Sequence, residues 1–146
     1  MYSITRNGKP LDKQLYTIDE EKKIFSSYEN GLVLDFSDTY GWHFKTGYEC
    51  TFNTGSDCVF DTGYGCTFKT GSECTFNTGS DCTFDTGAYC TFDTGSHCTF
   101  DTGYECTFKT GYQCVVVRRD VYEVIELDGT KKIKLNQFQI KGYTII

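Results

Sequence analysis

The sequence is poor in several things, and each shortage excludes something. It has one proline, Pro10, one tryptophan, Trp42, and one methionine, Met1. With methionine confined to the first position, a flexible Met-rich binding surface is excluded. No apolar run approaches the roughly 18 to 20 residues of a membrane span, so no membrane insertion is expected. Basic residues are scarce, 14 against 20 acids, for a net charge of −6. Nucleic acid and anionic membranes both call for a basic face, so neither is expected as the main partner. Residues 1–10 lack the apolar segment of a signal peptide, so synthesis in a cytoplasm without one is expected. Only two histidines are present, His43 and His97.

Cysteine is abundant. Nine in 146 residues would, by count alone, suggest a secreted disulfide scaffold. Their spacing points elsewhere. Cys50, Cys58, Cys66, Cys74, Cys82, Cys90, Cys98, Cys106 and Cys114 are each eight residues apart. Phe44, Phe52, Phe60, Phe68, Phe76, Phe84, Phe92, Phe100 and Phe108 keep the same step, as do nine Thr-Gly pairs from Thr46-Gly47 to Thr110-Gly111. The unit reads Phe-x-Thr-Gly-x-x-Cys-Thr, and nine copies cover residues 44–115. A fixed short period marks a solenoid.

An α-helix cannot use this period. Eight residues turn it by about 800°, so the Phe positions would spiral around it instead of forming a stripe. A β reading fits. Cys-Thr-Phe-x-Thr makes a five-residue strand with Cys, Phe and the second Thr on one face. The x position holds Lys45, Asn53, Asp61, Lys69, Asn77, Asp85, Asp93, Asp101 and Lys109. These must face water, so Phe and Cys face inward. Each buried Phe contributes roughly 1.5 to 3 kcal/mol. Gly-x-x forms the corner, with the glycine expected at positive φ.

The predicted fold is all-β: a β-solenoid of nine octapeptides, two or three per coil, with short β-strand caps. Stacking every sixteen residues leaves one like-charge neighbour among seven x-position pairs, Asp85 with Asp101. Stacking every twenty-four leaves two among six. Like charges opposed across strands destabilise, which favours two units per coil. Residues 1–43 read as an N-terminal β cap and 116–146 as a C-terminal one. Turns are expected at Asn7-Gly8, Glu29-Asn30-Gly31 and Asp128-Gly129, and strands at Leu15–Ile18, Ile24–Tyr28, Leu32–Phe36, Val115–Val117, Val121–Leu127 and Ile133–Leu135. The repeat carries three Lys against nine acids, and residues 116–146 carry six bases against four acids.

Leu32-Val33-Leu34-Asp35-Phe36, the Cys-Thr-Phe-x-Thr-Gly octads, Val115-Val116-Val117-Arg118-Arg119-Asp120 and the closing Ile140-Lys141-Gly142-Tyr143 resemble small octapeptide-repeat β-solenoid proteins encoded by tailed bacteriophages. The resemblance spans nearly the whole chain, departing at Val59, where Thr is expected. It implies a virion-associated or host-interaction protein, not a reaction.

Zinc sites use short Cys spacings and four ligands, unlike a uniform eight, so no metal or cofactor is expected. Buried free thiols are preferred, with disulfides between stacked coils as the alternative. His97 occupies a corner slot otherwise held by acids, and no insertion interrupts the repeat to form a cleft, so the chain reads as non-enzymatic. The outward Thr column is paired with charged or amide residues, which spoils an ice-like water layer. Tyr48, Tyr64, Tyr104 and Tyr112 follow the corner glycines and are the candidate recognition residues, suited to protein or carbohydrate. The expected function is a structural or adhesive module, such as a phage fibre, decoration or host-binding protein incorporated into a virion. Its expected partners are further copies of itself, including a trimer, other virion proteins, and cell-surface carbohydrate. The alternative is a scaffold that forms filaments by end-to-end stacking.

Overall fold

The computed structural model describes residues 2–146 and is nearly all β. Two nine-stranded sheets face one another, and the chain alternates between them. The first sheet contains β5 (Val33–Phe36), β7 (Thr51–Thr54), β9 (Thr67–Lys69), β11 (Thr83–Asp85), β13 (Thr99–Thr102) and β15 (Cys114–Arg118), all parallel. The second contains β4 (Ile24–Ser26), β6 (His43–Lys45), β8 (Val59–Asp61), β10 (Thr75–Asn77), β12 (Thr91–Asp93) and β14 (Thr107–Lys109), also parallel. Together they form a two-sided solenoid of about six coils, with two octads per coil.

Register settles the coil size. Phe76 lies beside Phe60 and Phe92, each sixteen residues away. The outer columns therefore hold the neighbours that the charge pattern favoured. Lys45 pairs with Asp61 and Asp93 with Lys109, while Asn77 separates Asp61 from Asp93. The one like-charge pair, Asp85 beside Asp101, is bridged by Arg119, whose guanidinium lies 2.9 and 3.0 Å from the two carboxylates.

The core is built from two interleaved Phe columns. Within a sheet, successive rings stack at 4.8 to 5.2 Å with their planes nearly parallel. Across the sheets they meet edge to face, as Phe76 does with Phe84 at 5.1 Å. All nine Phe and all nine Cys are buried. Parallel stacking extends beyond the octads on both sides. Phe25 takes the position below Phe44, Leu34 that below Phe52, and Val116 that above Phe100.

Two local expectations are corrected. The strands are mostly three residues, Thr-Phe-x, rather than five. Cys mostly stays at the corner ahead of the strand, where its N–H can turn toward sulfur, as Cys50 N–H does toward Cys66 Sγ at 3.4 Å. The octad glycine does not take positive φ. That conformation falls two residues later, on Glu49, Asp57, Gly65, Glu73, Asp81, Tyr89, His97, Glu105 and Gln113. The glycine is required by stacking. A Cβ on Gly79 would lie 2.9 Å from the Tyr64 backbone nitrogen and 3.0 Å from its Cα. We expect Gly79→Ala to lower stability by about 1–3 kcal/mol, since the coils must part to admit a methyl group. Urea unfolding against wild type measures it.

The ends abandon the parallel pattern. β1 (Ser3–Arg6) pairs antiparallel with β5 and turns at Asn7-Gly8 into β2 (Lys9–Pro10). Residues Lys13–Leu15 form a 3-10 turn capped by Asp12, and the strand β3 is Thr17–Asp19. At the other end β16 (Glu123–Leu127) folds back on β15, and β17 (Ile133–Leu135) on β14. Asp128-Gly129 therefore carries the chain from one sheet to the other rather than closing a hairpin. A last strand, β18 (Tyr143–Ile145), completes the second sheet.

Candidate functional site

Each coil has two corners, so the repeat presents two lateral edges. One edge leads from the second sheet to the first and contains Tyr48, Tyr64, Ser80, Ser96 and Tyr112. The other contains Ser56, Ser72, Ala88 and Tyr104. Tyr48 and Tyr64 are stacked, with centroids 4.8 Å apart and planes within 3°. Tyr112 lies on the same edge, where its ring meets His97 at 5.1 Å. Tyr104 is on the opposite edge. It meets Tyr89 at 5.4 Å and Phe138 at 5.1 Å. The four predicted tyrosines are thus divided three and one.

Sequence reasoning missed Tyr89 and Phe138. Tyr89 sits one position past the usual Tyr slot, in the column otherwise rich in acids. Phe138 lies outside the period altogether and reaches the edge only through the C-terminal cap. Both are about half exposed. The Glu105 carboxylate beside Tyr89 holds its phenol above the usual range.

Where the corner residue is Ser, it serves the backbone. Ser56 Oγ accepts from Ser72 N–H at 3.0 Å, and Ser72 Oγ accepts from Ala88 N–H at 3.1 Å. Ser80 and Ser96 do the same one coil on. Apart from Ala88, the corner slot therefore holds either a hydroxyl that ties coils together or a tyrosine ring.

The cysteines form two files, one per edge. Cys50, Cys66, Cys82, Cys98 and Cys114 make one, and Cys58, Cys74, Cys90 and Cys106 the other. Trp42 and Leu32 hold the equivalent places in the first coil. All nine are free thiols. Each Sγ lies against carbonyls that accept its proton. Cys82 Sγ, for example, is 3.6 Å from Ser80 O and 3.7 Å from Gly63 O. Hydrogen bonding with Cys66, then burial, pushes the Cys50 thiol up, and burial does so for Cys114. Among the described residues, no cluster of three or more His, Cys, Asp or Glu is arranged to hold a metal ion.

No family model, curated protein or solved structure matches the chain. The two edges and the thiol files must therefore speak through their own chemistry.

Proposed function

We propose that the protein is a non-enzymatic structural or adhesive module, a short rigid rod of the kind a tailed phage carries in a fibre, decoration or host-binding component. The observation that carries this reading is how the repeat spends its residues. Phe, Cys and the second Thr go into an uninterrupted core, and the remaining positions make two flat faces and two edges repeated about every 4.8 Å. The exposed edge rings, above all the Tyr48–Tyr64 stack, give such a rod a surface for protein or carbohydrate, since tyrosine offers an apolar face and a polar tip. The acidic repeat turns nucleic acid and anionic surfaces away.

The filament reading fares less well. End-to-end stacking cannot simply continue the parallel ladder, because each sheet finishes at both ends in an antiparallel strand. The edge strand β2 ends in Pro10, which has no N–H to offer a neighbour.

Mass spectrometry of purified virions from the source phage, together with binding of the purified chain to intact host cells, tests the proposal. The chain is expected among the virion proteins, and Tyr48→Ala with Tyr64→Ala is expected to weaken cell binding at least tenfold. Absence from virions together with no cell binding would remove the reading. Concentration-dependent filaments in electron micrographs would install the alternative.

A further inference from the structure

The thiol files have a spacing that chooses between two kinds of cross-link. Each sulfur repeats the contacts of the one below it. Cys98 Sγ lies 3.7 Å from Gly79 O and 3.6 Å from Ser96 O, and Cys114 Sγ lies 3.6 Å from Gly95 O and 3.7 Å from Tyr112 O. Neighbouring sulfurs are therefore separated by the coil translation, which the stacked Phe rings from Phe52 to Phe108 place at 4.8 to 5.0 Å. A disulfide needs Cβ atoms about 3.5–4.5 Å apart, so it would have to pinch the coils together. A linear sulfur–metal–sulfur bridge needs no such movement. A metal–thiolate bond of about 2.3 Å, the zinc value, gives about 4.6 Å for two in line. Zinc itself takes four ligands and does not suit a pair. Soft cations that accept thiolates do, Cu(I) among them.

One pair in the files also has a member that borders a cleft, Cys114. A cleft of about 560 Å³ opens beside the last thiol of the five-member file, lined by Gln113, Cys114, Val115, Glu126, Leu127 and Asp128. Glu126 and Asp128 are exposed, so two carboxylates stand where a cation would enter.

We infer that Cys98 and Cys114 form a two-coordinate site for a soft monovalent cation of the Cu(I) and Ag(I) class, loaded through this cleft. Binding exchanges two thiol protons for one cation. The products are a sulfur–metal–sulfur unit with one net negative charge and two released protons, and no electron moves. The Cys98 N–H, already donating to Cys114 Sγ at 3.4 Å, steadies that sulfur as a thiolate. The Gly95 carbonyl, 3.7 Å from Cys98 Sγ and 3.6 Å from Cys114 Sγ, would face the cation. Pairs deeper in the files would seal the negative charge inside an apolar core, which is costly. The pair beside the cleft leaves it near water. This site is independent of the adhesive reading.

The test uses the full chain, reduced, oxygen-free and chloride-free, titrated with silver nitrate and followed by native mass spectrometry. The first species expected carries one silver and has lost two protons. Cys114→Ala and Cys98→Ala are each expected to weaken that species at least 100-fold, while Cys58→Ala, in the other file, retains it. Glu126→Gln with Asp128→Asn should slow loading without changing the final count. Circular dichroism checks that each variant is folded, and Cys114→Ser replaces an alanine variant that is not. The inference is overturned if folded Cys114→Ala binds silver as wild type does. It is equally overturned if the first species has lost only one proton, or if wild type takes up none.

Discussion

Phe76→Asp is expected to abolish cooperative unfolding of the repeat and to remove the β-type circular-dichroism spectrum of the purified chain. Phe76 is buried at the middle of its column, stacked on Phe60 at 4.8 Å and on Phe92 at 4.9 Å. Phe68 and Phe84 of the opposite column meet it edge to face, each at 5.1 Å. Truncating such a ring costs about 3–5 kcal/mol. A carboxylate left there without a partner adds several more. The sum is comparable with the roughly 5–15 kcal/mol that holds a whole domain together. A solenoid is also less forgiving than its size suggests, because each coil contacts only its neighbours. A broken central coil leaves two short stacks, each with a raw parallel edge. A wild-type-like melting curve for this variant would mean that the rings do not carry the fold.

The companion change one residue along gives the contrast. Asn77→Asp places a carboxylate on the outer face, where water accepts it. That face is not indifferent, however, because Asn77 lies between Asp61 and Asp93. Three acids in one column repel, so a loss of roughly 0.2–1 kcal/mol for each of the two contacts is expected, smaller at high salt. The two substitutions add the same charge one residue apart, and the face of the strand decides the outcome.

This contrast also shows which features the sequence could reveal. The period-two alternation within each octad was enough to place Phe inside and x outside, because a strand has only two faces. The charges only leaned toward a sixteen-residue coil over a twenty-four-residue one, and the strand register decided it. Backbone detail was harder to see. Glycine at a corner suggests positive φ, but Gly79 is there because the preceding coil, at Tyr64, passes within 3 Å of where its Cβ would be. That is a contact between residues far apart in sequence, invisible to local reasoning. The caps were harder still. Arg118 reads as a surface charge in Val115-Val116-Val117-Arg118, yet it occupies the inward position that octads give to Thr and is fully buried. The aromatic edges were half legible. Tyr48, Tyr64 and Tyr112 keep the period and were visible, while Phe138 joins Tyr104 only through the fold of the C-terminal cap.

Arg118 is where the second large effect is expected. Its guanidinium meets Asp120 twice, Nε to Oδ1 at 3.2 Å and NH2 to Oδ2 at 2.7 Å, and also donates to the carbonyls of Ile140 and Gln137. Asp120 in turn accepts from Gln139 N–H at 2.8 Å. One buried ion pair therefore ties the end of β15 to the segment that leads into β18. Asp120→Ala removes the carboxylate and strands a buried cation, a loss of about 3–5 kcal/mol in comparable pairs. Glu123, 4.0 Å from Arg118, can compensate in part, which places the expected loss at the lower end of that range. Burial raises the Asp120 carboxyl, but the Gln139 N–H and Arg118 outweigh it and hold the group below the usual carboxylate range. A carboxyl depressed in the folded state stabilises fully above its unfolded value of about 3.9 and loses that contribution as the pH falls through the lowered one. Wild type should therefore lose cap stability on acidification below about pH 4, whereas Asp120→Ala, already without the pair, should show less of that dependence. Hydrogen exchange at β16 to β18, measured at neutral and acid pH, reads the effect where it arises. Equal protection of those strands in variant and wild type at neutral pH would show that the pair does not hold the cap.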